Sequence, residues 1–216
     1  MAMDSVEFAK SMIQQAEDFG KYMDEHILSK WEPFEDSTQT VRLMETQAWR
    51  EFYLGVPTVA REIDQLPDED EDIKVLLARQ LAEELLHWKV CAERAQELGG
   101  NGDLGGYRPS SEDLKMLENT LLPEYWQIAA SLHIFGETIL MHTFRRMIDV
   151  VDDRSAMIIR DEMLVHEGTH VRNGRLILER HAKTDEIQDA VRKIGQTKCD
   201  TIRKAYPYAL PDFRIE

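Results

Sequence analysis

Apolar residues recur at spacings of three and four along nearly the whole chain, the period of helices that bury one face. Phe8, Met12, Ala16, Phe19, Met23 and Ile27 make a first amphipathic helix, which Pro33 ends. A second helix starts near Ser37 and carries Val41, Met44, Ala48 and Phe52. Gly55 and Pro57 are expected to kink or interrupt it before it runs on to about Gln65. The acidic run from Asp68 to Asp72 suits a helix N-terminus, where carboxylates complement the backbone dipole. The third helix then aligns Ile73, Leu77, Leu81, Glu84, His87, Cys91 and Leu98, and stops at Gly99-Gly100.

Residues 99–109 hold five glycines and read as the one long loop, with Ser110 to Asp113 capping the next segment. A helix from about Pro123 to Val150 lines up Trp126, Ala130, His133, Glu137, Met141 and Phe144. Another, from about Asp153 to His181, lines up Met163, Glu167, His170, Gly174 and Ile177. A last helix spans about Asp185 to Lys204, and the tail through Pro207 and Pro211 reads as extended. The expected fold is all-α in a single domain over 1–216, a bundle at about 37–182 flanked by helices at 4–30 and 185–204.

Charge narrows the partners. A formal net charge of −15 argues against nucleic acid, which needs clustered Lys and Arg, and would suit a positively charged redox partner. No apolar run is long enough to span a bilayer, so no membrane partner is expected, and Met1 to Glu7 lacks the pattern of a secretory signal. With Cys91 and Cys199 as the only cysteines, the expected location is cytoplasmic.

Two glutamates are each followed three residues later by a histidine, Glu84-Leu85-Leu86-His87 and Glu167-Gly168-Thr169-His170. Three residues is just under one helical turn, so each pair projects from one face, and both faces are apolar stripes. Glu137 sits between them in an apolar setting, His133 to Met141, where a lone carboxylate would carry a large desolvation penalty unless paired, protonated or bound to metal. Two Glu-x-x-His pairs with one glutamate from each of two further helices make a two-metal ligand set. The second helix offers Glu45 or Glu51; they are six residues apart and face different ways, and periodicity does not choose between them. Glu83, His133 and His166 are candidates for outer hydrogen bonds to the ligands. A rival reading takes His166-Glu167-Gly168-Thr169-His170 as a His-Glu-x-x-His zinc hydrolase motif with Glu179 as a third ligand, which leaves Glu84, His87 and Glu137 unexplained.

At this point the chain resembles the ferritin-like di-iron carboxylate oxygenases, with the nearest likeness to the phenylacetyl-CoA epoxidase catalytic subunit family. Glu51-Phe52-Tyr53-Leu54-Gly55-Val56-Pro57 looks like the family's first ligand helix, which points to Glu51. Glu84 to His87 followed by Ala92 to Gly99 is similar to the second, and His170-Val171-Arg172-Asn173-Gly174 to the stretch after the last ligand. His166 stands where a carboxylate is usual, which puts a coenzyme A substrate in doubt. Aldehyde-deformylating oxygenases share the ligand order. The resemblance implies a ferritin-like four-helix bundle with additional N-terminal and C-terminal helices. It implies two Fe, or Mn/Fe, held by Glu51, Glu84, His87, Glu137, Glu167 and His170, with dioxygen as co-substrate. It further implies oxygen insertion into a small organic molecule in an apolar pocket, an external electron donor such as a reductase or ferredoxin, and a homo-oligomer. A ferroxidase or peroxide-detoxifying ferritin-like protein is the alternative of a different class.

Overall fold

The structure, a computed structural model, describes residues 2–102, 107–205 and 215. Its regular elements are helical, with no strand among the described residues. We number the seven helices α1 (Ser5–His26), α2 (residues 37–65), α3 (Glu71–Glu97), α4 (Ser111–Glu118), α5 (residues 125–150), α6 (residues 153–181) and α7 (Asp185–Ala205). Short polar side chains set their starts. Asp4, Asp36 and Asp152 accept hydrogen bonds from the first free N–H groups of α1, α2 and α6, and Ser110 with Asp113 forms a reciprocal capping box on α4. The expected extended tail at Pro207 and Pro211, and the middle of the loop at 103–106, lie outside the described residues.

The core is two apolar layers, and every long bundle helix passes from one to the other. One layer takes Val59 from α2 and Leu66 just past its end, Ile73 and Leu77 from α3, Ile128 and Ile134 from α5, and Ile177 and Leu178 from α6. The second takes Met44 and Ala48, Cys91 and Ala95, Phe144 and Met147, and Ile159 and Met163 from the same four helices. The order in which each helix meets the layers gives its direction. α2 and α6 run one way, α3 and α5 the other. Because α3 and α5 are parallel, the chain between them, residues 98–124 with α4, must return along the bundle, a single long crossover. α1 packs against α5 and α6 through Phe8, Met12 and Phe19, and α7 packs against α5 and α4.

α2 does not break at Gly55 and Pro57. It passes through one wide π turn, Glu51–Gly55, closed by the Val56 N–H donating to the Glu51 carbonyl. The wide turn precedes Pro57, which has no N–H to give and whose ring crowds the carbonyl four residues back, so the helix continues where a regular one would stop. Two more wide segments occur among the described residues, Ala129–Glu137 in α5 and Ile159–Leu164 in α6. A strict 3.6-residue period cannot signal these. Among the described residues no helix is long and apolar enough to cross a membrane.

Candidate metal centre

Between the two apolar layers lies a polar one. Glu51 of α2, Glu84 and His87 of α3, Glu137 of α5, and Glu167 and His170 of α6 are all buried there, none more than 7 % exposed. Wide turns accompany three of the four helices that supply this constellation: Glu51 opens one, Glu137 closes another, and Glu167 follows the third. α3, which supplies two ligand candidates one turn apart, is regular throughout.

The side chains form two overlapping groups, each able to hold one cation: Glu51, Glu84 and His87, and Glu84, Glu137 and His170. Glu84 belongs to both. Its Oε2 lies 3.6 Å from His87 Nδ1 and its Oε1 lies 3.5 Å from His170 Nδ1. Glu167 spans the same gap, with Oε1 at 4.0 Å from His87 Nδ1 and Oε2 at 3.2 Å from His170 Nδ1. Glu51 Oε2 lies 3.8 Å from His87 Nδ1, and Glu137 Oε1 lies 4.0 Å from His170 Nδ1. Glu51 and Glu137 thus close the two ends and Glu84 is shared between them, while Glu167 lies within 4.0 Å of both histidines but enters neither group. Gly55 makes room for this: a Cβ there would stand 3.2 Å from Glu84 Oε2.

The protonation pattern is that of a site short of positive charge. Burial pushes the Glu51 carboxyl up to about 8, with His87 pulling the other way. Burial, then the Glu167 and Glu84 charges, push Glu137 well above the carboxylate range. Burial would lower His87, but Glu51 and Glu84 outweigh it and hold the imidazole up at about 10. His170 is held up against its burial by Glu167 and Glu84. Glu84 goes the opposite way, held low despite burial by His170, His87 and a hydrogen bond from Glu51.

The donor set fits a pair of divalent metal ions. His87 Nδ1, His170 Nδ1 and Glu167 Oε2 are buried and point into the cluster, yet none makes a well-aligned hydrogen bond, the 3.2 Å approach of the last two included. Buried orphan atoms of this kind are costly unless something outside the side-chain set satisfies them. Each histidine is fixed from behind through its other nitrogen, as metal ligands commonly are. His170 Nε2 meets Glu83 Oε2 at 3.1 Å, and Arg79 Nε donates to Glu83 Oε1 at 2.8 Å. The hydrogen bond with His170, followed by the one from Arg79, holds Glu83 down at about 2 against its partial burial, so it accepts as a carboxylate. His87 Nε2 meets His166 Nδ1 at 3.0 Å, with the two rings stacked. Ligation through Nδ1 leaves the proton on Nε2 in both cases, where Glu83 and His166 accept it.

Two of the three outer candidates, Glu83 and His166, therefore touch ligand histidines. His133 stands one hydrogen bond further out. Its Nδ1 lies 3.2 Å from Gln80 Nε2, which also donates to Glu84 Oε1 at 3.1 Å. Because an amide nitrogen can only donate, His133 Nδ1 accepts, and its Nε2–H donates to Glu62 Oε2 at 2.6 Å. Gln80 is the residue that sequence reasoning missed. It is fully buried, takes a hydrogen bond from Asn173 at 3.0 Å, and sits one turn before Glu84 on the same stripe, which was its one visible signal.

Glu45 is not in the cluster; its carboxylate accepts the Asn101 N–H at 3.0 Å beyond the end of α3. The His-Glu-x-x-His arrangement is not assembled either. His166 turns to His87 instead of sharing an ion with His170, and Glu179 pairs with Arg175 at 3.1 Å. Neither His166 nor Glu179 enters a metal-holding group among the described residues. No family model, curated protein or solved structure matches the chain.

Proposed function

We propose that the chain is a dioxygen-activating di-iron carboxylate oxygenase, or its Mn/Fe equivalent, that oxidises a small organic molecule. One observation carries the organic substrate. A cavity of about 440 Å³ lies directly against the cluster, with Glu51, Glu84 and Glu137 on its wall and Leu54, Leu132, Ile139, Leu140 and Met147 around them. That volume suits a small ligand, and the apolar side of the wall away from the glutamates favours an organic substrate over hydrated iron in transit. The single long crossover and the placement of a Glu-x-x-His on each of two helices support kinship with ferritin-like bundles.

When bound, the metal pair supplies electrons to dioxygen and Lewis acidity at the substrate. The chain's own part is geometric and electrostatic. Glu51 and Glu137 hold the ends of the site and face the cavity, so substrate and dioxygen arrive on the side opposite Glu83 and His166. Leu132, Ile139 and Leu140 keep bulk water off that face. Insertion of one oxygen atom consumes two electrons and two protons. The two cysteines, Cys91 and Cys199, lie in different apolar layers and make no iron–sulfur ligand set, so an external reductase or ferredoxin is the proposed donor.

The decisive experiment is anaerobic loading with Fe(II), a metal count, and exposure to oxygen under an optical spectrum. About two irons per chain with an oxygen-dependent absorbance change are expected. One tightly held zinc and no response to oxygen would overturn the reading.

A further inference from the structure

Lys198 of α7 is buried where the ligand set makes no use of it. The residue is 4 % exposed and lies on the wall of the cavity that also presents Glu51, Glu84 and Glu137. An ammonium carries three N–H donors. The one acceptor described for Lys198 is Thr120 Oγ1 at 2.8 Å, and no described carboxylate forms an ion pair with it. Two arginines also line the wall: Arg50 is already held by Asp113 at 2.7 Å, and Arg42 is exposed, where water screens its charge. The largest negative influence on Lys198 is Glu137. Four ligand carboxylates and two divalent ions sum to zero, so a loaded centre leaves Lys198 a buried cation without a counter-charge. Leu132, Ile139, Leu140, Met147 and Ile202 give the wall an apolar side, beside polar Gln47, Ser110 and Thr143. In a chain of net charge −15, a dry cationic spot facing an apolar cavity calls for an anion that brings its own hydrocarbon.

We propose that the cavity takes a small amphipathic carboxylate, its carboxylate on Lys198 Nζ and its chain along Leu132, Ile139, Leu140 and Met147. Lys198 is the one cation on this wall that is both buried and without an ion pair among the described residues, and one buried positive charge matches a carboxylate better than a phosphate dianion. The inference deepens the oxygenase reading and rests on it through the charge sum.

The test is calorimetric titration of octanoate and of octan-1-ol into the full chain loaded with Mn(II), which binds without turning over. Octanoate should bind roughly tenfold or more tightly than the alcohol, the worth of one charge-assisted hydrogen bond. Lys198→Met should erase that preference with metal content and helical signal unchanged, and Lys198→Arg should restore most of it. Lys198→Gln serves as a second neutral variant should the methionine form fail to fold. Equal binding of acid and alcohol by the metal-loaded wild type would overturn the inference and leave the metal centre standing. So would a preference that survives in both neutral variants, which would put the carboxylate on the metals. A chain that takes up no metal overturns the oxygenase reading instead. The same comparison on that metal-free chain then decides the lysine assignment: a preference that Lys198→Met erases sustains it, and none rejects it.

Discussion

Six buried ligand candidates compete for protons and for metal on the same atoms, and that competition is measurable. Glu51 sits at about 8 and His87 at about 10, so at neutral pH both carry a proton that a metal ion must displace. Loading Mn(II) at pH 7 in weak buffer should therefore release more than one proton per chain, read with an indicator dye, and the yield should fall as the starting pH approaches 10. The sign for stability is set by the same two groups. Both have folded values above their ordinary 4.5 and 6.5, so each stabilises the metal-free fold below those values and loses its contribution as pH rises through the folded value. The metal-free melting temperature should fall between about pH 5 and 10, and a flat profile would contradict the proton assignment. Removing a ligand acts differently. Glu137→Ala or His170→Ala should abolish stoichiometric two-metal binding while leaving helical content largely intact, checked by metal analysis and circular dichroism; two metals retained in both would sink the site. At this scale the sequence exposed residues whose chemistry stands out against their neighbours in the chain, such as Glu137 among apolar side chains, but not buried Glu62. Gln80 and Lys198 stayed hidden, because an amide or an ammonium at helical spacing looks like any solvated position until its neighbours are known.

At the scale of the helix, the wide turns explain both a success and a gap. Helix bounds such as 153–181 were legible because caps and apolar stripes mark them, as Asp152 does for α6. Periodicity did not choose between Glu45 and Glu51, since both share stripes with buried Met44 or Ala48 and the deciding contact, α3 against α2, is tertiary; only the resemblance of the Glu51–Pro57 stretch pointed to Glu51. Nor could periodicity register a π turn, which adds one residue and shifts the phase of every later position in the helix by about 100°. That shift is testable. Deleting Tyr53, whose side chain is 42 % exposed, should convert Glu51–Gly55 to a regular turn and rotate Glu51 away from Glu84. The deletion variant should keep its helical signal and bind one metal per chain in place of two, through Glu84, Glu137 and His170. Two metals with unchanged affinity would mean the wide turn does not position Glu51.

Across the whole molecule, the ligands tie together four helices that are otherwise held by two separate apolar layers. Glu51, the Glu84–His87 pair, Glu137 and the Glu167–His170 pair each belong to a different helix, so the proposed metal pair would cross-link α2, α3, α5 and α6 between the two layers. A ligand that binds the folded chain and not the unfolded one stabilises by mass action, about 2.7 kcal/mol at a free concentration a hundredfold above its dissociation constant. For a domain of this length that corresponds to a rise in melting temperature of about 5–10 °C. The gain should also be uneven in space. α1 and α7 contribute no ligand and pack on the outside of the bundle, so hydrogen exchange should slow on metal loading around residues 51, 84–87, 137 and 167–170, with little change in the first turns of α1 or α7. A melting temperature indifferent to metal, or protection spread evenly over all seven helices, would show that the polar layer is satisfied by its own protons and that the bundle does not require the ions.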